Sequence, residues 1–361
     1  LVANPERVEI DGPPANLDRM LARTGEFNRD VARVVRKSRA SSALSSERIA
    51  AVLPGWTEKL AGQPDLARTA ETFAVADLLA TRYARRYRIA LRVLYILAAL
   101  MGIAFIAYAD LDRSSMIAAY LGLFFLGFVV YRLASGLQWH RKFLDYRALA
   151  EGLRVQFYWR LAGVSGQLRN DFAYDNFLQK QDVEIGWIRN VMRFAGAPED
   201  RLARRKADLD GVIEHWIGEP GGSGQLGYFE ARCSKHRRHV AQTDRLVAVT
   251  LWVGIAITVV LALGQYRLDD MLVTGMVAAM GILPLLAAVR EAYAHKVAEK
   301  ELLKQYTFML DIYRMARFRL SRCTTVDQKR ELLRALGEAA LDEHAEWILV
   351  HRERPLEPGK L

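Results

Sequence analysis

A short stretch of potential metal ligands is the clearest candidate for chemistry in this chain. Cys233, His236 and His239 recur at every third position, so a helix would bring a thiol and two imidazoles to one face. A structural zinc site needs a fourth ligand, and the Lys and Arg residues between these three repel a cation. The pattern favours a basic helix beside a membrane, and we expect no metal site.

A glycine-rich stretch at 220–224 is the other candidate, in this case for phosphate binding. It follows no strand pattern and lacks the Lys-Ser/Thr ending of a phosphate loop, so we interpret it as a linker. The chain shows no Ser/His/Asp or Cys/His spacing and no paired carboxylates in a setting that would separate their pKa values. We therefore expect neither enzyme activity nor a cofactor in this chain. An enzyme acting on lipid remains a weaker alternative.

Small and hydroxyl-bearing residues interrupt four strongly apolar blocks. Such residues permit close helix packing in a membrane, and they can also line a narrow pore in an oligomer. Both interpretations stay open. The candidates for packing or pore lining are Gly122, Gly127, Thr250, Gly254, Thr258, Thr274, Gly275 and Pro284.

The four apolar blocks have the length of membrane spans. They cover residues 93–109, 114–131, 246–266 and 271–289, with no Asp, Glu, Lys, Arg or His in their interiors. A helix needs roughly 20 apolar residues, and at least about 17, to cross the hydrocarbon core. Helices buried in a soluble bundle usually keep a polar stripe, which the third block lacks. The sequence predicts four transmembrane helices in two tight hairpins.

Charges beside the blocks predict the orientation of the hairpins. Arg and Lys flank the ends of each hairpin that lie opposite its tip. This distribution places those ends and both termini in the cytoplasm. The basic residues assigned to the cytosolic membrane edge are Arg85, Arg86, Arg88, Arg132, Arg245 and Arg290. The acidic residues assigned to the outer mouth are Asp110, Asp112, Asp269 and Asp270, diluted by Arg113 and Arg267. Rings of such carboxylates favour cations.

Composition excludes several classes of protein. The chain has 361 residues, of which 52% are hydrophobic, and its 51 Lys and Arg exceed its 41 Asp and Glu by 10. The apolar content and the presence of only two cysteines exclude collagen-like, disulfide-stabilised and wholly disordered chains. Because the surplus positive charge borders the apolar blocks, we expect anionic lipid rather than nucleic acid as its partner.

The two hairpins align with an offset of about 157 residues. Arg88 then falls on Arg245, and the tip pair Leu111-Asp112 falls on Leu268-Asp269. This similarity suggests an internal duplication in which the two copies have parallel topology. Any two hairpins that obey the charge rule would look partly alike, so chance similarity remains the alternative.

The remaining segments predict helices, and no strand pattern of convincing length occurs. We expect a helix from near residue 16, exit helices at 138–159 and 291–320, two helices within 170–215 separated at 196–198, and an amphipathic helix at 327–346. Arg147 and Glu151 are spaced to pair on a solvated helix. The predicted fold is all-α and polytopic. Its segments are a cytosolic linker with helices at 1–75, the first hairpin with flanking helices at 76–160, a cytosolic helical segment at 161–227, the second hairpin at 228–325, and a C-terminal cytosolic helix and tail at 326–361.

Several stretches resemble the SLATT-like membrane effectors of bacterial conflict systems. The resemblance lies in residues 76–88 (ADLLATRYARRYR), in the hairpin that follows, and in residues 144–154 (LDYRALAEGLR) with Trp159 soon after. Residues 17–30 (LDRMLARTGEFNRD) resemble the end of a SLOG nucleotide-sensing domain related to the TRPM-channel cytosolic domain. This resemblance implies a sensor upstream of Leu1 that binds a nucleotide-derived ligand. The chain departs from the one-hairpin pattern of the group by having a second hairpin.

Together these features predict a homo-oligomeric channel or pore in the bacterial inner membrane. The resemblance implies gating from the cytosol by a nucleotide sensor, in antiviral or abortive-infection defence. The alternative is a non-conducting membrane anchor for a cytosolic sensor.

Overall fold

The computed structural model describes residues 14–37, 49–50, 53, 56, 60, 63–111, 113–164, 185–197, 207–264 and 268–352. Every regular element within these ranges is helical, so the all-α prediction is confirmed. The helices are α1 (Pro14–Lys37), α2 (Pro64–Asp110), α3 (Met116–Gly136), α4 (Trp139–Ala162), α5 (Gly186–Gly196), α6 (Leu209–Val212, continued by a π-helical turn at Ile213–Ile217), α7 (Gly224–Gly264), α8 (Asp270–Lys296), α9 (Glu299–Leu320) and α10 (Val326–Arg352).

Four of these helices are long and apolar enough to cross a membrane. They are α2, α3, α7 and α8, and they contain nearly all of the four predicted apolar blocks. At a rise of about 1.5 Å per residue, the 41 residues of α7 extend about 60 Å, whereas the hydrocarbon core is about 30 Å thick. Part of α7 therefore continues beyond the bilayer as the same helix. The chain is a membrane protein with four transmembrane helices.

Several predicted boundaries differ from the observed ones. The second exit helix was expected to run unbroken over 291–320, which is wrong, because the helix ends at Lys296 and restarts at Glu299. Ala298 adopts a left-handed conformation with φ of 55°, which no helix interior tolerates. The expected separation at 196–198 is confirmed on its described side, since α5 ends at Gly196 and Ala197 is extended. Of the two helices expected within 170–215, the parts at 170–184 and 198–206 lie outside the described residues, as do residues 1–13 and 38–48 of the predicted linker segment at 1–75.

Contacts divide the chain into two compact units. Unit 1 contains the residues up to Ala80, Asp145–Val212 and Cys323–Glu346. Its core is aromatic, with Phe27 packed 5.6 Å from the rings of both Tyr146 and Trp187. Trp159 is buried and donates its indole N–H to the Leu333 carbonyl at 3.1 Å, which joins α4 to α10.

Unit 2 contains Thr81–Leu144, Ile213–Arg322 and the residues from Trp347 onward, and therefore all four spans. Outside the spans, α7 packs antiparallel against α9. Phe229 stacks on Tyr313 at 5.5 Å, and Trp216 meets the same tyrosine edge-on at 6.4 Å. Glu230 accepts a hydrogen bond of 2.8 Å from Arg314 across the same pair of helices.

Candidate functional site

The membrane-spanning part of unit 2 is the candidate functional site, and within it α2 packs closely against α8. Leu285 of α8 lies directly on the backbone of Gly102, so closely that a Cβ there would be 2.5 Å from Leu285 Cδ2. Nearer the hairpin tips, a Cβ on Gly281 would be 3.0 Å from Ile106 Cδ1. Two glycines therefore allow these spans to approach closely, as small residues do in membranes.

The end of the α2–α8 contact away from the hairpin tips is closed by an aromatic pair. The Tyr95 hydroxyl donates to the Ala292 carbonyl at 3.2 Å, and its ring meets Tyr293 edge-on at 5.5 Å. Tyrosines in this position combine an apolar body with a polar tip, which suits the edge of a bilayer.

Within each hairpin the two spans also touch. Gly127 of α3 faces Leu97 of α2, and Tyr120 packs against Phe105 at 6.4 Å. In the second hairpin, the Thr258 hydroxyl lies 3.9 Å from Met280 Sδ. The described spans thus form the row α3–α2–α8–α7, in which α2 and α8 are the central pair.

Most of the glycines selected from the sequence are not at these contacts. A Cβ on Gly122, Gly254 or Gly275 would meet nothing within 4 Å, and of the selected glycines only Gly127 faces another span. Gly102 and Gly281 are not among these candidates, although a neighbouring span covers each of them. The sequence shows where the glycines of a span are. Only the packed structure shows which of them a neighbouring helix covers.

Two of the three selected hydroxyl residues donate to carbonyls of their own helices. Thr250 donates to the Leu246 carbonyl, and Thr258 donates to the Gly254 carbonyl at 2.9 Å. Thr250 is buried, Thr258 is exposed, and Thr274 is half-buried. Pro284 lies inside α8 on an exposed face.

The acidic tip residues are exposed where they are described. Asp110 ends α2, Asp269 precedes α8, and Asp270 is the first residue of α8. Asp112 and Arg267 lie outside the described residues. Asp270 also occupies the first turn of a span, where a carboxylate stabilises the positive end of the helix dipole.

The basic edge residues divide into exposed and engaged groups. Arg86 lies over the rings of Tyr83 (5.6 Å) and Trp139 (6.0 Å), and Arg290 makes a two-pronged ion pair with Glu299 at 2.9 and 3.1 Å. The second interaction ties the end of α8 to the start of α9. The exposed members are Arg85, Arg88, Arg132 and Arg245, of which Arg88 also donates to the Ala84 carbonyl of its own helix at 3.2 Å.

The glycine-rich stretch is a loop, as predicted. Gly218, Gly221 and Gly224 all adopt positive φ, which glycine alone accommodates without strain. The Gly221 N–H donates to the Glu230 carboxylate at 2.7 Å, so this loop binds an anion supplied by the chain itself. Both this bond and that from Arg314 lower the pKa of Glu230 below its ordinary value, with the arginine the larger cause.

The residues considered as metal ligands have other neighbours in α9. Cys233 is buried with its Sγ 3.8 Å from the Thr307 hydroxyl, and His236 packs edge-on against Tyr306 at 5.2 Å. Burial, followed by the nearby Arg232, lowers the pKa of His236.

Unit 1 contains an ion-pair network that is larger and less exposed than the single Arg147–Glu151 pair expected from the sequence. Arg147 and Glu151 do pair, but their side chains are only 24% and 15% exposed, so the expectation of a solvated pair is wrong. Glu151 also pairs with Arg154 at 2.6 Å, and Arg147 pairs with Asp77 of α2 at 3.1 Å. Burial raises the pKa of Glu151, but the two arginines outweigh it and lower the pKa to about 2.

Comparisons of the chain with protein-family models, with curated proteins and with solved structures found no match. The helices themselves define the class of protein, which is an all-helical, polytopic membrane protein with four spans and long extramembrane helices.

Proposed function

We propose that this chain is a subunit of an oligomeric channel or pore, gated from the cytosol, in the bacterial inner membrane. The resemblance to SLATT-like effectors suggests a role in antiviral or abortive-infection defence, with a nucleotide sensor as the source of the signal. Both termini are assigned to the cytoplasm, because Arg and Lys concentrate at the outer ends of the hairpins.

The observation that carries this proposal is the continuity of α7. Its N-terminal part packs against α9 through Phe229 and Glu230, and its C-terminal part is a membrane span of the same unbroken helix. A displacement of α9 would therefore move the span as a rigid rod. Such a lever is what a gate operated from the cytosol requires.

The lever can be broken at Asp244, which is exposed and lies between the two parts of α7. Asp244→Pro removes a helical hydrogen bond and kinks the helix, at a cost of about 3 kcal/mol. The matched control is Asp244→Ala, which keeps the helix and loses only the exposed ion pair with Lys300 at 3.4 Å. We expect the open probability to change severalfold in the proline variant and to stay within about twofold of wild type in the alanine variant.

The measurement is single-channel current from the full chain in bilayers of phosphatidylethanolamine and phosphatidylglycerol. If wild-type protein carries no current, the pore proposal is wrong. If the two variants have equal open probability, a pore exists but α7 does not gate it.

A non-conducting anchor is the second candidate, and one observation favours it. The hydroxyls of Thr250 and Thr258 are bonded to carbonyls of their own helix, which leaves them less available to line a water-filled path. An anchor would keep its function when all four spans are replaced by unrelated apolar helices, whereas a pore would lose it.

A further inference from the structure

The internal duplication suggested by the sequence is repeated in the backbone. The span α3 ends where Leu137 N–H bonds to the Leu133 carbonyl and Gln138 adopts φ of 51°. The span α8 ends where Val297 N–H bonds to the Tyr293 carbonyl and Ala298 adopts φ of 55°. These residues correspond one by one at a single constant offset, that between Gln138 and Ala298.

On the α3 and α8 sides, the hairpin contacts follow the same correspondence. The offset that aligns the two breaks also places Tyr120 of α3 on Met280 of α8, and each faces the preceding span of its own hairpin. It likewise places Ala134 on Ala294, and both are buried. For α2 and α7, the offset that aligns the hairpin tips places Tyr95 on Trp252. The offset between Gln138 and Ala298, where the helices break, is three residues larger than the offset between the hairpin tips. The second hairpin therefore has three more residues between its tip and its break.

The duplication leaves one contact without its counterpart inside the chain. The first span of hairpin 1, α2, packs on the second span of hairpin 2, α8. The counterpart would join the first span of hairpin 2, α7, to the second span of hairpin 1, α3. These are the two end helices of the row α3–α2–α8–α7.

The faces that this missing contact would use are exposed. On α2, the residues that meet α8 are Tyr95, Gly102 and Ile106, and their counterparts on α7 are Trp252, Val259 and Leu263, exposed by 69%, 49% and 83%. On α8, the residues that meet α2 are Gly281, Leu285 and Tyr293, and their counterparts on α3 are Leu121, Phe125 and Leu133, exposed by 59%, 67% and 54%.

We propose that a second copy of this chain covers these faces, with α7 of one subunit packed against α3 of the next. This deepens the proposed function, on which it rests for the existence of an oligomer, by naming the contact between subunits. The contact is heterologous, since each copy offers one face and receives the other. Such contacts close into a ring when the rotation between copies permits.

The side chains on the two faces determine how closely α7 and α3 of neighbouring subunits can approach. The in-chain contact places glycine opposite a large side chain at two positions, whereas the contact between subunits places Val259 opposite Phe125 and Leu263 opposite Leu121. Helices that meet through large side chains on both sides lie toward the upper end of the range of distances between packed helix axes. At the edge away from the tips, Trp252 comes opposite the exposed Arg132, a cation–π pair. The subunit contact is therefore wider than the in-chain contact, but follows the same helix faces.

Site-directed cross-linking tests this inference. Both native cysteines, Cys233 and Cys323, are first replaced by Ser. One tagged chain carries Val259→Cys and a differently tagged chain carries Phe125→Cys; they are co-expressed, and membranes are treated with a short bis-methanethiosulfonate reagent. We expect a heterodimer that contains both tags, and a ladder of multimers when one chain carries both substitutions.

The matched control moves each cysteine by one residue, to Val260→Cys and Phe124→Cys. These positions have the same depth but point about 100° away around their helices, toward lipid. Heterodimer yield from the first pair should exceed that of the control at least fivefold. Equal yields would mean that lipid covers these faces, and Val259→Cys homodimers alone would mean a symmetric contact; either result overturns the inference.

Current measurements separate this inference from the proposed function. Cross-linking without any current would leave the subunit contact standing and reject the pore. Current without specific cross-linking would support the pore and reject this contact.

Discussion

At Gly102 the absence of a side chain lets Leu285 pack directly on the backbone of α2. Gly102→Leu would force its side chain into Leu285, so we expect a loss of about 1–3 kcal/mol in the stability of the α2–α8 contact. Thermal unfolding in detergent, followed by tryptophan fluorescence, measures it.

The matched control is Gly275→Leu, since a Cβ at that glycine meets nothing within 4 Å. It should unfold within about 0.5 kcal/mol of wild type. Equal destabilisation by the two variants would contradict the role of Gly102 in the contact.

Glu343 in unit 1 makes stability depend on pH. Burial, followed by repulsion from Glu151 and Glu346, raises its pKa from 4.5 to about 7. The folded protein therefore holds a proton that the unfolded chain releases between about pH 4.5 and 7, so the stability associated with this group is lost as pH rises through that window. Glu343→Gln should stabilise the protein by about 2 kcal/mol at pH 8 and by little at pH 4.5.

Unfolding temperatures at the two pH values check this prediction. Asp342→Asn, on the neighbouring exposed residue, should show no comparable difference between them. A stabilisation by Glu343→Gln that is equal at both pH values would mean that titration is not its cause.

At the scale of the element, two short breaks end α3 and α8, and only the second of them was not expected from the sequence. Both depend on a residue other than glycine in a left-handed conformation, which costs roughly 1 kcal/mol. Arg290 and Glu299 hold the second break by pairing across it. The breaks end each pair of spans without a loop.

Substitution at Ala298 tests this conformation in two directions. Ala298→Gly should raise the free energy of unfolding by about 1 kcal/mol, because glycine adopts positive φ without strain. Ala298→Val should lower it by at least as much, because a β-branched side chain is strained there and the site is fully buried. Chemical denaturation of the purified protein distinguishes these signs, and the same sign for both variants would contradict the assignment.

At the scale of the whole molecule, the distribution of Arg and Lys beside the spans predicts the topology. Single cysteines in a background without native cysteines test the orientation in right-side-out vesicles. An impermeant maleimide should label Arg113→Cys at a hairpin tip directly, and Arg237→Cys in α7 only after the vesicles are opened. Both residues are exposed in the described structure. Labelling in the reverse order would place the termini outside and would reject the proposed cytosolic gating.

Much of the fold follows from local pattern. The length of the apolar blocks identified the four spans. Gly196 and the glycine-rich stretch at 220–224 correctly predicted where helices end. The break at Ala298 was missed because no residue type there signals it; alanine ordinarily favours a helix. The half-buried state of Glu151 was also missed, because an i,i+4 charge pair looks the same in a sequence whether water or Asp77 lies beyond it.

The sequence by itself determined that this chain is helical, that four segments can cross a membrane, and that two halves resemble each other. These properties depend on hydrophobicity and charge summed along the chain, which neighbouring residues fix. Only the tertiary structure decided that a neighbouring span covers Gly102 and Gly281, and that Trp252 and Phe125 lie on exposed counterpart faces. Which face of a helix is covered depends on side chains far apart in the sequence, so no local pattern could specify it.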